Sequence, residues 1–442
     1  MERRRWWFSA SYARRCARWS ALSWIGALVS VLTTTPAWAG NDEGILVGAQ
    51  AAVTGGAVTA IIGDGTAAWY NPAGLARITR HAFDVNASAY GMSLIHVTKL
   101  FTLPDGTTSD ARVIDWQLIP TALSYSRVLS RRVVGSFGIF IPTTTDMDLR
   151  ASLAQRDGTR WTLGIDQFRN EYDYIASVGI RLSETLRVGA ALHGIYISSE
   201  DMVQVGVGTA GATDQPFLSA SSHETVGDYA VRLGLGVQWT PVPQLELGLS
   251  VQTPALTGFR RTNLDGVNTG FVADTKSGTF SSEHEAGLTT PWELSTPLVV
   301  RLGAAWQAGR AQLLLDGTLS SPLNASDPSL DRRLNGNVRV GVLTKQSQAL
   351  TWGVGVFSDR NGLREIGANY LGVAGGVRIA SHHLLSDGQR PLTFGTTLAG
   401  RYAYGFGSTE GISFVGDTDS KPANVQFRAH ELAFNLGGSV TF

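Results

Sequence analysis

The chain has 442 residues, 36 Lys+Arg against 36 Asp+Glu, 51 glycines and one cysteine. The balanced charge, with no basic run beyond the first 18 residues, argues against nucleic acid as a partner. A single cysteine excludes an internal disulfide, and no apolar run reaches the roughly 18 residues that a transmembrane helix needs.

Residues 1–39 read as a signal peptide. Arg3, Arg4, Arg5, Arg14, Arg15 and Arg18 form a basic n-region, Ala21 to Thr33 an apolar h-region, and Ala37-Trp38-Ala39 a small-residue cleavage site. Removal takes away Cys16, six of the 36 basic residues and one of the 36 acidic ones, so the mature chain is cysteine-free and mildly acidic. No Pro-rich, Ser-rich or charge-block linker divides what remains.

Residues 40–81 do not alternate. A small-residue run, AAVTGGAVTAIIG, leads into GDGTAAWYNPAGL. Ala51, Ala52, Gly55, Gly56 and Ala57 allow close packing in a confined space. Pro72 restricts Asn71 to extended or turn backbone, and the Asn71 side chain can hold that turn by bonding nearby backbone. Backbone that is neither helix nor strand must find partners, which suits a plug inside a barrel.

From residue 82 onward the unit is a strand of about ten alternating residues closed by a turn. In DYAVRLGLGVQWT, Tyr229, Val231, Leu233, Leu235, Val237 and Trp239 share one face, and Asp228, Arg232 and Gln238 the other. Tyr229 to Trp239 spans about 33 Å of strand, or about 25 Å of height at a tilt near 40°, the separation of two aromatic girdles on a membrane barrel. EYDYIASVGIRL repeats the pattern, with Tyr172, Tyr174, Ala176, Val178, Ile180 and Leu182 opposite Asp173 and Arg181. The chain closes on Leu432, Phe434, Leu436, Gly438, Val440 and Phe442, opposite Glu431 and Asn435. A strand-final phenylalanine is the usual mark of an outer-membrane barrel, and Phe442 is read as the signal to the barrel-assembly machinery.

Turn lengths alternate. Short turns are expected near 129–131, 183–185, 241–244, 308–310 and 346–349, with a longer one at 382–390. Polar outer loops are expected near 102–112, 142–169, 206–227, 258–278, 322–335, 359–368 and 408–424. Seven outer loops and six inner turns predict an all-β, antiparallel transmembrane barrel of about 14 strands over 82–442. Twelve or sixteen stay open, because Pro291 and Pro297 interrupt one long strand.

The segment from Gly48 through GDGTAAWYNPAGLA resembles the N-terminal hatch of the FadL/TodX family of outer-membrane transporters, which import long-chain fatty acids and aromatic hydrocarbons. In outline the resemblance continues through VVGSFGIFIP (133–142), LRVGAALHGIYIS (186–198) and PWELSTPLVVRLGAAWQ (291–307). It implies a hatch over 40–81 that blocks the lumen and shifts with ligand, with Gly55, Gly56, Asp64, Asn71, Pro72, Ala73 and Gly74 as its gate residues. The family's paired acidic residues before the motif are reduced here to Asp64 alone.

Enzyme chemistry finds little support. Ser221-Ser222-His223-Glu224 places a potential nucleophile and base on adjacent residues, which point apart on an extended chain. Glu283-His284-Glu285 splits its metal donors between two faces, as does His382-His383. No phosphate loop is present, and no cofactor is expected. Two classes remain. One is a hatch-gated, monomeric outer-membrane channel for hydrophobic small molecules, with Phe217, Leu218, Phe259 and Phe271 (and Phe280) as an outer capture patch. The other is a general diffusion porin or a structural barrel. The hatch discriminates, since a diffusion porin has no use for a 40-residue plug.

Overall fold

The computed structural model describes residues 45–442 apart from 103–105, 155–157, 210–216, 273–276, 325–330, 364–366, 385–390 and 416–418. The expected signal peptide, residues 1–39, lies outside the described residues. From Ala82 onward the chain forms a closed antiparallel barrel of 14 strands. In chain order these are β1 (Ala82–Thr102), β2 (Thr108–Val128), β3 (Val133–Ala154), β4 (Thr159–Arg181), β5 (Leu186–Thr209) and β6 (Phe217–Val242). Strand β7 runs in two pieces, Leu245–Gln252 and Leu256–Val272, and β8 in three, Ser277–Thr289, Glu293–Leu294 and Val299–Ala308. They are followed by β9 (Ala311–Ser320), β10 (Asn335–Lys345), β11 (Leu350–Arg360), β12 (Gly367–Leu384), β13 (Pro391–Val415) and β14 (Asp419–Thr441). Each strand pairs with its chain neighbour, and β14 closes on β1 from Ala82↔Thr441 to Val97↔Phe427.

The breaks in β7 and β8 have one cause. Pro254, Pro291 and Pro297 lack the N–H that a ladder needs. Side chains take over locally: Thr253 Oγ1 accepts from Leu233 N at 3.0 Å, and Thr296 Oγ1 accepts from Ala255 N at 2.9 Å. Both pieces of β7 still pair with β6, so two segments make one strand.

The outward face is apolar where the sequence pattern places the membrane. Tyr229, Val231, Leu233, Leu235 and Trp239 all expose about half their surface, while Arg232 and Gln238 are buried inside. On β4, Tyr174 faces out and Asp173 in; on β14, Phe434 and Leu436 face out.

The expected outer loops are corrected by the structure. Most of that sequence continues as strand. β6 has 26 residues. At roughly 3.3 Å each and a tilt near 40°, it rises about 65 Å, well beyond a 25 Å apolar band. Residues 143–154 and 159–169, expected as loop, are paired strand, as are 217–227 and 259–271. Polar residues there are the outer faces of strands that stand clear of lipid.

In this outer half the alternation inverts. Nearer the short turns, β1 turns Phe83 and Val85 outward and buries Asp84 and Asn86; farther up it buries Ile95 and Val97. On β14, Glu431 points in below, and Phe427 and Val425 point in above. Strand β3 makes the switch through a bulge. Three steps on β3, Phe140 to Thr143, oppose two on β4, Asp173 to Glu171. Below it Val134, Ser136 and Phe140 are buried; above it Met147, Leu149 and Leu153 are. An odd residue count exchanges the two faces, because the side-chain period is two.

Candidate functional site: the lumen and the β2–β3 fork

Residues 45–81 form two short helices, α1 (Ala49–Thr54) and α2 (Ala67–Tyr70), and a 3-10 turn over Pro72–Arg77. Helix α1 lies against β10 to β14, and the 3-10 turn against β3 to β6, on opposite sides of the barrel. Nearly every residue from Leu46 to Ala76 is buried.

The polar lining of the lower lumen meets this backbone. Asp316 on β9 accepts from Val58 N at 2.9 Å and Thr59 N at 2.8 Å. Gln238 on β6 donates to Ile62 O at 3.1 Å, Gln252 on β7 to Trp69 O at 2.9 Å, and Arg181 on β4 to Ala76 O at 2.9 Å. Asp84 on β1 accepts from Gly65 N at 3.1 Å. Arg77 donates to Gln238 and Ala60 O and pairs with Glu246. These side chains supply the hydrogen bonds that irregular backbone cannot make to itself.

The residues singled out in the sequence fall as follows. Asn71 is fully buried; its Nδ2 donates to Thr59 O at 2.9 Å and Val237 O at 3.0 Å, and its Oδ1 accepts from Ala73 N at 3.2 Å. Pro72 opens the 3-10 turn, where a missing N–H costs nothing. Gly55 and Gly56 end α1 with φ of 65° and 82°, a left-handed pair that glycine adopts without strain. Gly74 packs against Ile62 O, and Ala73 is buried beside Asn71. Asp64 accepts from Thr66 N at 3.0 Å and so closes the turn into α2. Gly236 on β6 explains the close approach, since a Cβ there would lie 2.1 Å from Asn71 Oδ1.

The expected outer capture residues are not on loops. Phe217 and Leu218 begin β6, Phe271 registers opposite Phe217, and Phe259 sits half-exposed on the outward face, paired with Tyr229. The side chains of Phe217, Leu218 and Phe271 lie outside the described residues. Phe442 directly follows β14, half-exposed on the outer face, with its N–H on His81 O at 2.9 Å. Ser222 points inward and His223 outward, where His223 bonds Glu200 at 2.8 Å.

Above the segment, one apolar cluster runs up the inner wall. It joins Leu46, Trp69, Tyr70 and Leu75 to Phe140 and Ile175, and these to Val113, Met147, Leu149 and Phe427 higher up. Tyr70 anchors it, accepting from Val47 N at 3.1 Å. Burial pushes the pKa of the Tyr70 phenol above its ordinary value, with the nearby Arg301 guanidinium only partly offsetting this.

Beside this cluster is a cavity of about 100 Å³. Trp69 forms part of its floor, and Arg169, Glu171, Arg232, Arg301 and Arg332 are in its walls. Arg232 and Arg301 lie 4.9 and 5.9 Å from the Trp69 ring. Arg232 also holds Asp173 at 2.6 Å, and Asp173 holds His193 at 2.9 Å, all buried.

Pro142 and Thr143, also in the cavity wall, mark where the barrel wall divides. The β2–β3 ladder runs only from Val128↔Val134 to Ala122↔Phe140. Beyond it, among the described residues, β2 pairs only with β1, and β3 only with β4. Pro120 and Pro142 flank the end of the ladder, one on each strand, where neither can donate an N–H. The sequence reading missed this fork. Its signal was a proline in each of two neighbouring strands near mid-length.

No protein-family model and no curated protein matches the chain. Solved structures do. A Pseudomonas aeruginosa FadL homologue aligns over 91% of this chain and 100% of its own, with 13% identity and a TM-score of 0.60. The Pseudomonas putida toluene transporter TodX aligns over 88% and 96%, at 12% identity and 0.57. The CymD monoaromatic hydrocarbon channel aligns over 90% and 97%, at 12% identity and 0.54. The 14-strand closure and the length of the match agree: this chain has the fold of the FadL homologue and of TodX.

Proposed function

We propose that the protein is an outer-membrane channel for the uptake of hydrophobic small molecules, gated by residues 40–81 acting as a hatch. The observation that carries this reading is the inverted alternation of the outer half. Ile95, Val97, Val113, Met147, Leu149 and Phe427 form one continuous apolar cluster on its inner wall, a lining suited to apolar solute. A water-filled porin would line it with polar groups. The apolar lining leads down to Trp69 and to the β2–β3 fork, and the fork offers a side exit above the closed lower lumen. Fatty acids, alkanes and aromatic hydrocarbons all fit such a lining. The FadL and TodX neighbours, described as a FadL homologue and a toluene transporter, support the same solute class.

The test is uptake into proteoliposomes. Full-length protein should take up toluene or a labelled fatty acid faster than empty vesicles. Val113→Asn and Met147→Asn should slow uptake several-fold at unchanged protein level. Uptake of hydrophilic sugars at comparable rates, unaffected by these substitutions, would identify a diffusion porin instead.

A further inference from the structure

We propose that the outward face of β14, β1 and β2, just above the apolar band, is a docking surface for the phosphorylated headgroup of an outer-leaflet glycolipid, the bisphosphorylated glucosamine lipid A. This goes beyond the uptake reading and rests only on the barrel standing in an outer membrane.

Height comes first. Phe442, directly after β14, exposes its ring near the lower end of the apolar face, close to Phe83 and Tyr125. Ten residues up β14, Leu432 registers with Met92 on β1 and Tyr402 on β13, and Met92 with Trp116 on β2. Ten residues at about 3.3 Å each and a tilt near 40° rise about 25 Å, the height of the apolar band. The exposed rings of Trp116 and Tyr402 therefore form its upper aromatic girdle. Four residues higher, Arg428 registers with His96, and His96 with Arg112. This row stands about 10 Å above the girdle, where long guanidinium side chains reach the headgroups that begin at the edge of the band.

Charge follows. Arg112, Arg428 and Lys99 are exposed. Asp110 offsets part of this charge; it accepts from Lys99 N at 2.9 Å and lies 3.3 Å from His96 Nε2. Among the described residues Arg112 and Arg428 form no salt bridge. The concentration of cations is local. On β4 to β7 the stacked Tyr172, Tyr196 and Tyr229 mark the same girdle. The row above them is Asn170, Ser198, Gly227 and Arg261, and the next holds Glu200. An anionic headgroup is drawn to β14, β1 and β2.

Spacing selects the headgroup. Adjacent strands are about 4.8 Å apart, so Arg112 and Arg428, on either side of β1, are rooted about 10 Å from each other. Each guanidinium can fork onto one phosphate of a bisphosphorylated disaccharide. A phospholipid carries a single phosphate and engages only half of the row. His430, two residues below Arg428, has Nδ1 2.9 Å from Tyr402 Oη and its ring 5.2 Å from that of Tyr404, which together offer flat surface to sugar rings. Below them Phe434, Leu436 and Leu398 are exposed as an apolar wall for acyl chains.

Native mass spectrometry of the full-length protein in detergent would use bisphosphorylated lipid A, its dephosphorylated form and phosphatidylglycerol. Lipid A should bind at least about tenfold more tightly than either, the difference a charge-assisted bond makes. Arg112→Gln combined with Arg428→Gln should abolish that preference, and Arg261→Gln should keep it. The substituted arginines are exposed, and the comparison of the three lipids on unaltered protein decides even if the double variant folds poorly. A large excess of inorganic phosphate should leave lipid A bound; displacement by phosphate would reduce the surface to a free-anion site and overturn the lipid assignment. Equal binding of lipid A and its dephosphorylated form overturns the phosphate contact. Phosphatidylglycerol binding as tightly as lipid A overturns the two-phosphate match. A well-folded double variant with undiminished preference overturns the assignment to this row.

Discussion

Asn71 Nδ2 donates to the carbonyl of Val237 at 3.0 Å, across 166 residues of sequence. This bond ties the N-terminal segment to the barrel wall, and the same nitrogen reaches Thr59 O within the segment. Asn71→Ala removes both bonds and leaves the buried Ala73 N–H without its acceptor, a loss of about 1–3 kcal/mol. The expected outcome is a folded barrel whose N-terminal segment is released more often. Trypsin cutting at Arg77 and Arg80 in the folded protein should accelerate. Unchanged cutting would remove Asn71 from the latch.

Gly236 is the other half of that contact. A methyl there would collide with Asn71 Oδ1 and lie 2.8 Å from Pro72 Cδ. Gly236→Ala should therefore displace the 3-10 turn without touching the outward face of β6. In planar bilayers the variant should flicker open where the parent protein is quiet. A silent Gly236→Ala channel would show that the turn can yield without opening a path.

Asp316 tests the opposite wall. Its carboxylate serves Val58 and Thr59 N–H together. Asp316→Ala orphans both donors, whereas Asp316→Asn keeps one acceptor oxygen. Loosening, read as hydrogen exchange over 57–62, should be large in the first and smaller in the second. Equal exchange in both would mean that charge, and not acceptor count, holds the segment.

The face assignment of β6 has its own test. Leu235 is mid-belt between Tyr229 and Trp239 and 58% exposed on the outer face. Leu235→Arg should cost about 2–4 kcal/mol of refolding stability, with smaller costs for arginine toward the ends of the belt. A flat profile across positions 231, 233, 235 and 237 would contradict a lipid-facing surface.

Removing residues 41–78 tests the hatch as a whole. The ladders that close the barrel begin at Ala82, so the truncated chain retains every strand. It should conduct ions steadily in single-channel recordings where full-length protein is nearly silent. Equal conductance would place the gate elsewhere.

Local pattern alone determined the strands, their outward faces within the membrane band and the short turns. The reason is that lipid imposes one rule on every strand: apolar residues at every second position for about ten residues. The girdle from Tyr229 to Trp239 and the closing strand ending at Phe442 were legible for this reason. Asn-Pro-Ala-Gly was legible as a turn, because proline and asparagine act on their own neighbours. Only the tertiary structure decided what the outer half is. There the apolar residues are still at every second position, in Met147-Asp-Leu149 and Val203-Gln-Val205, but alternation does not say which side is the inside. That depends on the bulge in β3 and on where lipid ends. The fork between β2 and β3 was equally hidden, since a missing ladder belongs to two strands at once. The cavity above Trp69 gathers α2, β3, β4, β6, β7, β8, β9 and β10, and its arginines are separated by up to 163 residues (Arg169 to Arg332). Nothing local marks those arginines as neighbours; only closure of the barrel brings them to one wall.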